Sequence, residues 1–83
     1  MILEKKIRMG LGNWYLRRRF YEKAIAQLTK VIEKDLNNSE AYYLRGLSHY
    51  EKADFEIAIS DITKAIEMRP NYAEAYFDRA RFI

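Results

Sequence analysis

The chain has 83 residues, which is enough for one small domain of modest stability. It carries 15 Lys and Arg against 12 Asp and Glu, so its formal net charge is +3, and 49% of its residues are hydrophobic. It contains no Cys, which excludes a disulfide framework and a thiolate metal site, and no apolar run long enough to cross a membrane. This composition is typical of a helical protein in a reducing compartment, so we expect a cytoplasmic location and no membrane insertion.

Apolar residues recur at helical spacing along the chain. Leu11 and Tyr15 lie four positions apart, and Ile59, Ile62 and Ile66 follow the i, i+3, i+7 pattern of one helix face. The pattern predicts five helices, at residues 2–17, 21–35, 39–52, 55–68 and 72–82. Because the connections between them are short, neighbouring helices should run antiparallel.

Capping and helix-breaking residues mark the helix boundaries. Asn37 and Asn71 each stand three residues before a Glu, which resembles a capping box at the starts of the third and fifth helices. Asp54 is expected to cap the fourth helix with its side chain, and Pro70 is expected to end that helix. These signals support the boundaries that the apolar pattern gives.

The sequence repeats itself with a period of 34 residues. Residues 5–38 align with residues 39–72 without a gap, and nine of the aligned positions are identical. The match continues into a partial third unit at residues 73–83. A fixed period of this length predicts stacked units that bury their apolar faces against one another, so we expect residues 1–83 to form a single domain.

The residue types at fixed positions of the unit resemble the tetratricopeptide repeat. The second unit has small, aromatic and proline residues where that family has them, at Tyr42, Gly46, Phe55, Ala58, Ala65 and Pro70. The first unit has matching residues at Leu11, Gly12, Tyr15, Tyr21, Ala24 and Leu28. The resemblance covers almost the whole chain and implies an all-α superhelix of antiparallel helical hairpins with five helices.

Two sets of positions predict specific features, namely close helix crossings and tight turns. Gly12, Gly46 and Ala80 are small where the two helices of a unit should cross closely, and a larger side chain would overpack the crossing. Arg19 and Ala53 stand where the family usually has a Gly in the turn within a unit. If that residue has a positive φ, each substitution costs about 1 kcal/mol.

The sequence offers no convincing catalytic or metal-binding constellation. His49 is the only histidine, it occupies the position of Tyr15 in the preceding unit, and we interpret it as a packing residue. Four carboxylates are interpreted as helix-start charges and surface acids, namely Asp54, Glu56, Glu74 and Asp78. We therefore predict a protein that is not an enzyme and needs no cofactor.

The resemblance implies that the first helices of successive units line a concave groove that holds a peptide of a partner protein. The predicted groove residues are Met9, Asn13, Leu16, Arg17, Tyr43, Leu47, Tyr50, Phe77 and Arg81. An apolar and aromatic centre with a few polar anchors suits an extended or helical peptide. Alternatively, Tyr43, Leu47 and Tyr50 pack against the next unit instead of facing a ligand.

One subclass of the family can be tested residue by residue. Members that bind chaperone tails bind the C-terminal carboxylate of the tail with Lys, Asn, Asn, Lys and Arg side chains at fixed positions. Here Asn13 matches, and the other four positions hold Met9, Leu44, Glu74 and Asp78. Because two acids stand where cations are needed, we expect no recognition of acidic chaperone tails through that clamp.

Two alternative functions rest on charge and on the end of the repeat. Residues 1–36 carry a net charge of +5 and residues 37–83 carry −2, which predicts attraction between opposite ends of two chains. Phe82 and Ile83 close a unit that lacks a second helix, so we expect these two side chains to lack cover. This predicts self-association through the C-terminal helix, an excised fragment or an engineered chain. The arginine run at residues 17–19 suggests nucleic-acid binding, although cations at a helix end more often stabilise the helix terminus.

Overall fold

The computed structural model describes residues 2–82, so Met1 and Ile83 lie outside the described residues. Between those limits it contains five α-helices and no strand, namely α1 (Ile2–Arg17), α2 (Tyr21–Lys34), α3 (Ser39–Glu51), α4 (Phe55–Met68) and α5 (Ala73–Phe82). The prediction of an all-α fold is confirmed, and every helix boundary lies within one residue of its predicted position. None of these helices combines the length and the apolarity that a bilayer-spanning segment requires.

Helices adjacent in sequence pack against each other, and α1 also contacts α3. The result is a layered superhelix in which α1 and α2 form one hairpin, α3 and α4 form the next, and α5 packs on α4. Its dimensions are 34 × 26 × 17 Å. The first helix of each hairpin therefore lies on the same side of the molecule as its counterpart.

The apolar core consists of two clusters at the seams between successive hairpins. The first contains Leu28, Val31, Ile32 and Ala41. The second contains Ile62, Ala65, Ile66, Tyr72 and Ala75. Tyr42 packs against both clusters, so the two seams are joined by one side chain.

The close helix crossings at the two glycines are confirmed. A Cβ atom added at Gly12 would lie 2.7 Å from Leu28 Cδ2, and one added at Gly46 would lie 2.7 Å from Ile62 Cγ1. At Gly46 the added atom would also lie 3.1 Å from the backbone oxygen of Ala58, which cannot rotate away as a side chain can. Ala80, the third predicted crossing residue, is exposed.

The turns within the two hairpins have the strained backbone that the sequence predicts. Arg19 has φ 67° and Ala53 has φ 70°. In the second hairpin the Asp54 amide donates to the His49 carbonyl oxygen at 2.9 Å, and the first hairpin has the equivalent bond. This is the Schellman motif, in which a left-handed residue ends a helix and Gly is the favoured residue type.

The capping predictions need two corrections. The residue that caps α3 is Asn38 and not Asn37, because Asn38 Oδ1 accepts from the Ala41 amide at 3.0 Å. Asp54 stands at the start of α4 but makes no capping bond with its side chain. Its carboxylate instead contacts His49 Nδ1 and Lys52 Nζ, each at 3.3 Å, and these two partners hold the pKa of Asp54 below its ordinary value.

Candidate functional site

A groove runs across α1, α3 and the start of α5. Its main cavity has a volume of about 370 Å³ and is lined by Met9, Gly10, Asn13, Arg17, Glu40, Tyr43, Leu44, Tyr72 and Glu74. A second cavity of about 310 Å³ is lined by Tyr43, Ala73, Glu74, Phe77 and Asp78. Because Tyr43 and Glu74 line both, the two cavities form one surface, which we call the groove.

The structure brings five of the nine predicted groove residues together in the groove. These are Met9, Asn13, Arg17, Tyr43 and Phe77. They include two charged or amide groups, one thioether and two aromatic rings. The groove therefore offers apolar contact area together with hydrogen-bond donors.

The other four predicted residues lie outside the two cavities. Leu47 packs against the second core cluster, and Leu16 is half-buried elsewhere on α1. The ring of Tyr50 stacks on Phe82, with centroids 3.7 Å apart and planes 10° from parallel. Arg81 donates to Asp78 Oδ1 at 3.1 Å. Tyr50 and Tyr43 contact the next unit, through Phe82 and Asp78, as the alternative interpretation states, but Tyr43 also lines both cavities. Leu47 packs against the cluster that joins the second and third units.

The stacking of Tyr50 on Phe82 also shows how the end of the C-terminal helix is covered. Phe82 is half-buried because Tyr50 covers one face of its ring. The expectation that Phe82 lacks cover is therefore wrong, while Ile83 lies outside the described residues. The third unit is anchored to the second through this aromatic pair.

Tyr43 is fixed in the middle of the groove by a hydrogen bond. Its hydroxyl donates to Asp78 Oδ2, and its ring lies against the ring of Tyr72 with centroids 5.0 Å apart. Burial, followed by the bond to Asp78, raises the pKa of Tyr43 far above its ordinary value. Asp78 is buried in this arrangement, so its interpretation as a surface acid is wrong.

Tyr72 is one of the lining residues that the predicted set of nine did not include. Burial raises the pKa of Tyr72 to about 12, and the negative charges of Glu40 and Glu74 contribute to the rise. The guanidinium of Arg69 lies over its ring at 4.3 Å from the centroid. The repeat pattern did not predict that Tyr72 lines the groove, because the equivalent residue one unit earlier is Asn38.

A buried ion pair holds α3, the central helix of the groove, against its neighbours. Arg45 donates to both carboxylate oxygens of Asp61, at 2.8 and 2.9 Å, and to Thr29 Oγ1 at 3.3 Å. The bonds to Asp61 raise the pKa of Arg45. One guanidinium thus connects α3 to α4 and to α2, which fixes the rotation of the helix that carries Tyr43.

Two other polar regions are less suited to a ligand. A cavity of about 310 Å³ between α1 and α2 is lined by Ile2, Glu4, Lys5, Arg8, Lys30, Val31, Lys34 and Asp35. Five of its six charged side chains already pair within the chain, since Lys5 bonds to Asp35 at 3.1 Å and Glu4 bonds to both Lys34 and Arg8. In the basic turn, the guanidinium of Arg18 lies over the ring of Trp14, 4.8 Å from its centroid.

Stacked helical hairpins whose first helices line an open groove define a helical-repeat protein. Comparison with family models identifies the family. Residues 39–72 match a model described as tetratricopeptide repeat, and residues 9–52 match a second model with the same description. Because the second match covers more than half of the chain, the protein belongs to the tetratricopeptide repeat family. This family is a protein-interaction fold and is generally non-catalytic.

A solved structure with the same fold is the TPR2B domain of yeast Sti1 in its complex with pHsp70. The two chains superpose with a TM-score of 0.91 and share 25% sequence identity. The superposition covers 96% of this chain and 64% of the length of the yeast chain. A comparison with curated protein sequences gave no match.

Proposed function

We propose that the protein is a non-catalytic binding module that holds a peptide segment of a partner protein in the groove. The observation that carries this proposal is the position of Tyr43 and Phe77, two aromatic side chains that line a continuous open surface. The similar yeast domain, solved in complex with pHsp70, supports a peptide as the kind of ligand. The cytoplasmic location stays a prediction.

The groove can hold a peptide through two kinds of contact. An apolar side chain of the ligand packs against Met9, Tyr43 and Phe77, and burying one such side chain contributes about 1.5–3 kcal/mol. Asn13 and Arg17 line the same cavity and carry N–H donors for the carbonyl groups of an extended peptide. Because the Tyr43 hydroxyl is already bonded to Asp78, this residue contributes its ring and not a free donor.

The residues of this groove do not form the clamp that binds acidic tails. Of the three positions that would need cations, one holds Met9 and two hold acids, namely Glu74, which lines the groove, and Asp78, which is bonded to Tyr43 and Arg81. A terminal carboxylate would therefore meet negative charge. The proposed ligand differs in this respect from an acidic C-terminal tail.

Selection from a library of random displayed peptides tests the proposal, because such a library samples many ligand sequences at once. Peptides selected on the immobilised protein should bind about tenfold more weakly to the Phe77→Ala variant, because the ring is part of the apolar contact. The matched control is Leu36→Ala, since Leu36 is 67% exposed and Phe77 is 66% exposed, but Leu36 lies outside the groove. Selection of no peptide, or equal weakening by both variants, contradicts the proposal.

Self-association is a second candidate, favoured by the exposure of Tyr76 and Phe77 on α5. Sedimentation at increasing protein concentration tests it, and a monomer at high concentration rules it out. Nucleic-acid binding stays a prediction, and the stacking of Arg18 on Trp14 gives the basic turn a structural role instead. We therefore favour peptide binding.

A further inference from the structure

The side chain of Tyr72 forms part of the groove wall. Tyr72 is 5% exposed, and it lines the main cavity. Its ring belongs to the second core cluster, so the side chain cannot turn away. Within residues 2–82 no hydrogen bond to its hydroxyl is found, whereas the hydroxyl of the neighbouring Tyr43 donates to Asp78. No fully buried side-chain polar atom in that range lacks a partner, so the Tyr72 hydroxyl reaches solvent. A polar group held this way at a cavity wall is satisfied by water or by a ligand.

Two carboxylates line the same cavity. Glu40 lies in the first turn of α3 and Glu74 in the first turn of α5, and both are exposed. Neither forms a salt bridge with another residue of the described range 2–82. Burial raises the pKa of Tyr72, and the negative charges of Glu40 and Glu74 contribute to the rise, as expected for a hydroxyl in the field of two carboxylates.

The cations nearby do not cancel this field. Arg69 lies over the ring face of Tyr72 rather than in the cavity lining. Arg17 lines the cavity from the last turn of α1, so the two carboxylates leave the lining with a net negative charge. A neutral or anionic side chain would offer no opposite charge to these two carboxylates.

We infer that the groove binds a lysine or arginine side chain of the partner peptide, with the cationic group placed between Glu40 and Glu74 and against the hydroxyl oxygen of Tyr72. This inference rests on the proposed function and names the chemical class of its ligand. An ammonium or guanidinium group has several N–H donors, which suits two carboxylates and one hydroxyl oxygen. The partly buried ring of Tyr43, which lies against that of Tyr72, adds aromatic surface for the apolar stem of such a side chain.

The expected ligand is therefore a peptide that combines a basic residue with an apolar one. The basic residue occupies the cavity of Glu40 and Glu74, and the apolar residue packs on Phe77 in the adjoining cavity. Electrostatic repulsion disfavours peptides in which an acid takes the place of the basic residue. Salt should weaken the binding, because both carboxylates are exposed.

The test compares the peptides selected on the native protein with those selected on the double variant Glu40→Gln, Glu74→Gln. Peptides from the native protein should be enriched in Lys and Arg, and their affinity should fall about tenfold on the double variant, as expected for charge-assisted hydrogen bonds. Tyr72→Phe should weaken them by a smaller factor, because it keeps the ring and removes one acceptor. The matched control, Glu33→Gln with Glu67→Gln, removes two exposed acids outside the groove and should leave the affinity unchanged.

The outcomes separate this inference from the proposed function. If selected peptides depend on Phe77 but lack an excess of Lys and Arg, the cationic ligand is ruled out and the groove remains a peptide site. The same holds if the two double variants weaken binding equally, since the effect is then one of net charge. If no peptide is selected, both proposals fail. Circular dichroism of each variant verifies that the helices are retained.

Discussion

The two helical hairpins follow the same repeat but are held together by different interactions. In the second hairpin, Arg45 and Asp61 form a buried ion pair between α3 and α4. In the first hairpin the equivalent positions hold Leu11 and Gln27, so no such pair can form. Gln27 instead accepts a hydrogen bond from Arg8 at 2.9 Å.

This difference determines how each hairpin responds to mutation. The first hairpin adds ion pairs that are partly exposed, such as Lys34 with Glu4, and pairs of this kind contribute little to stability. The second hairpin contains a buried pair, whose disruption leaves an uncompensated charge. Repeats of similar backbone can therefore differ greatly in the consequence of a polar substitution.

The largest effect is expected for Asp61→Ala. Loss of the carboxylate leaves the guanidinium of Arg45 largely buried without its partner, so the free energy of unfolding should fall by about 3 kcal/mol. The equivalent change in the first hairpin, Gln27→Ala, should cost less than about 1 kcal/mol. Urea denaturation followed by circular dichroism measures both values.

Replacement of both partners of the ion pair makes this comparison sharper. Replacing both partners, with Arg45→Met and Asp61→Leu, should recover much of the stability that Asp61→Ala loses, because no buried charge remains. Equal losses for Asp61→Ala and Gln27→Ala would show that the ion pair does not distinguish the two hairpins.

The next effect concerns the helix crossings. Gly46→Ala should lower the free energy of unfolding by about 1–3 kcal/mol, because the added Cβ meets both Ile62 and the backbone of α4. Gly12→Ala should cost less, since the added atom meets only the side chain of Leu28. The same denaturation experiment gives the order, and a larger loss at Gly12 would contradict the view that the second crossing is the tighter one.

The smallest expected effect is a gain in stability from Gly at the turns, and it should be the same in both hairpins. Ala53→Gly and Arg19→Gly should each stabilise the protein by about 1 kcal/mol, because Gly adopts a positive φ without strain. The two turns are neighbours in space, since Lys52 beside Ala53 pairs with Glu22 and lines one surface cavity with Arg19, so the double variant measures the coupling between the two gains. Thermal unfolding of the single and double variants measures them, and a loss of stability in either would argue against a left-handed residue at that turn.

The helices and turns of this protein could be predicted from its sequence because the repeat makes every signal appear at least twice. Helical spacing, the small residues at Gly12 and Gly46 and the strained turns all recur at a fixed distance. Asn37 was predicted as the cap of α3 in place of Asn38 because both residues are asparagine. A periodic pattern fixes a helix boundary only to about one residue.

The candidate site was harder to predict from the sequence because its chemistry depends on residues that differ between units. Asp78 replaces Leu44, and Tyr72 replaces Asn38, so neither has a precedent within the chain. The bond from Tyr43 to Asp78 joins residues 35 positions apart, and no local pattern encodes it. Tyr50 was assigned to the groove by its position in the unit, but its partner Phe82 determines where its ring lies.

The shared position of Tyr42 has a consequence for the unfolding of the chain. Since this ring contacts the apolar residues of both seams, separating either seam removes packing from the other. Repeat arrays unfold unit by unit when the coupling between neighbours is weak and in a single transition when it is strong. Through Tyr42 the protection of backbone amides from hydrogen exchange in α2 and in α4 should rise and fall together.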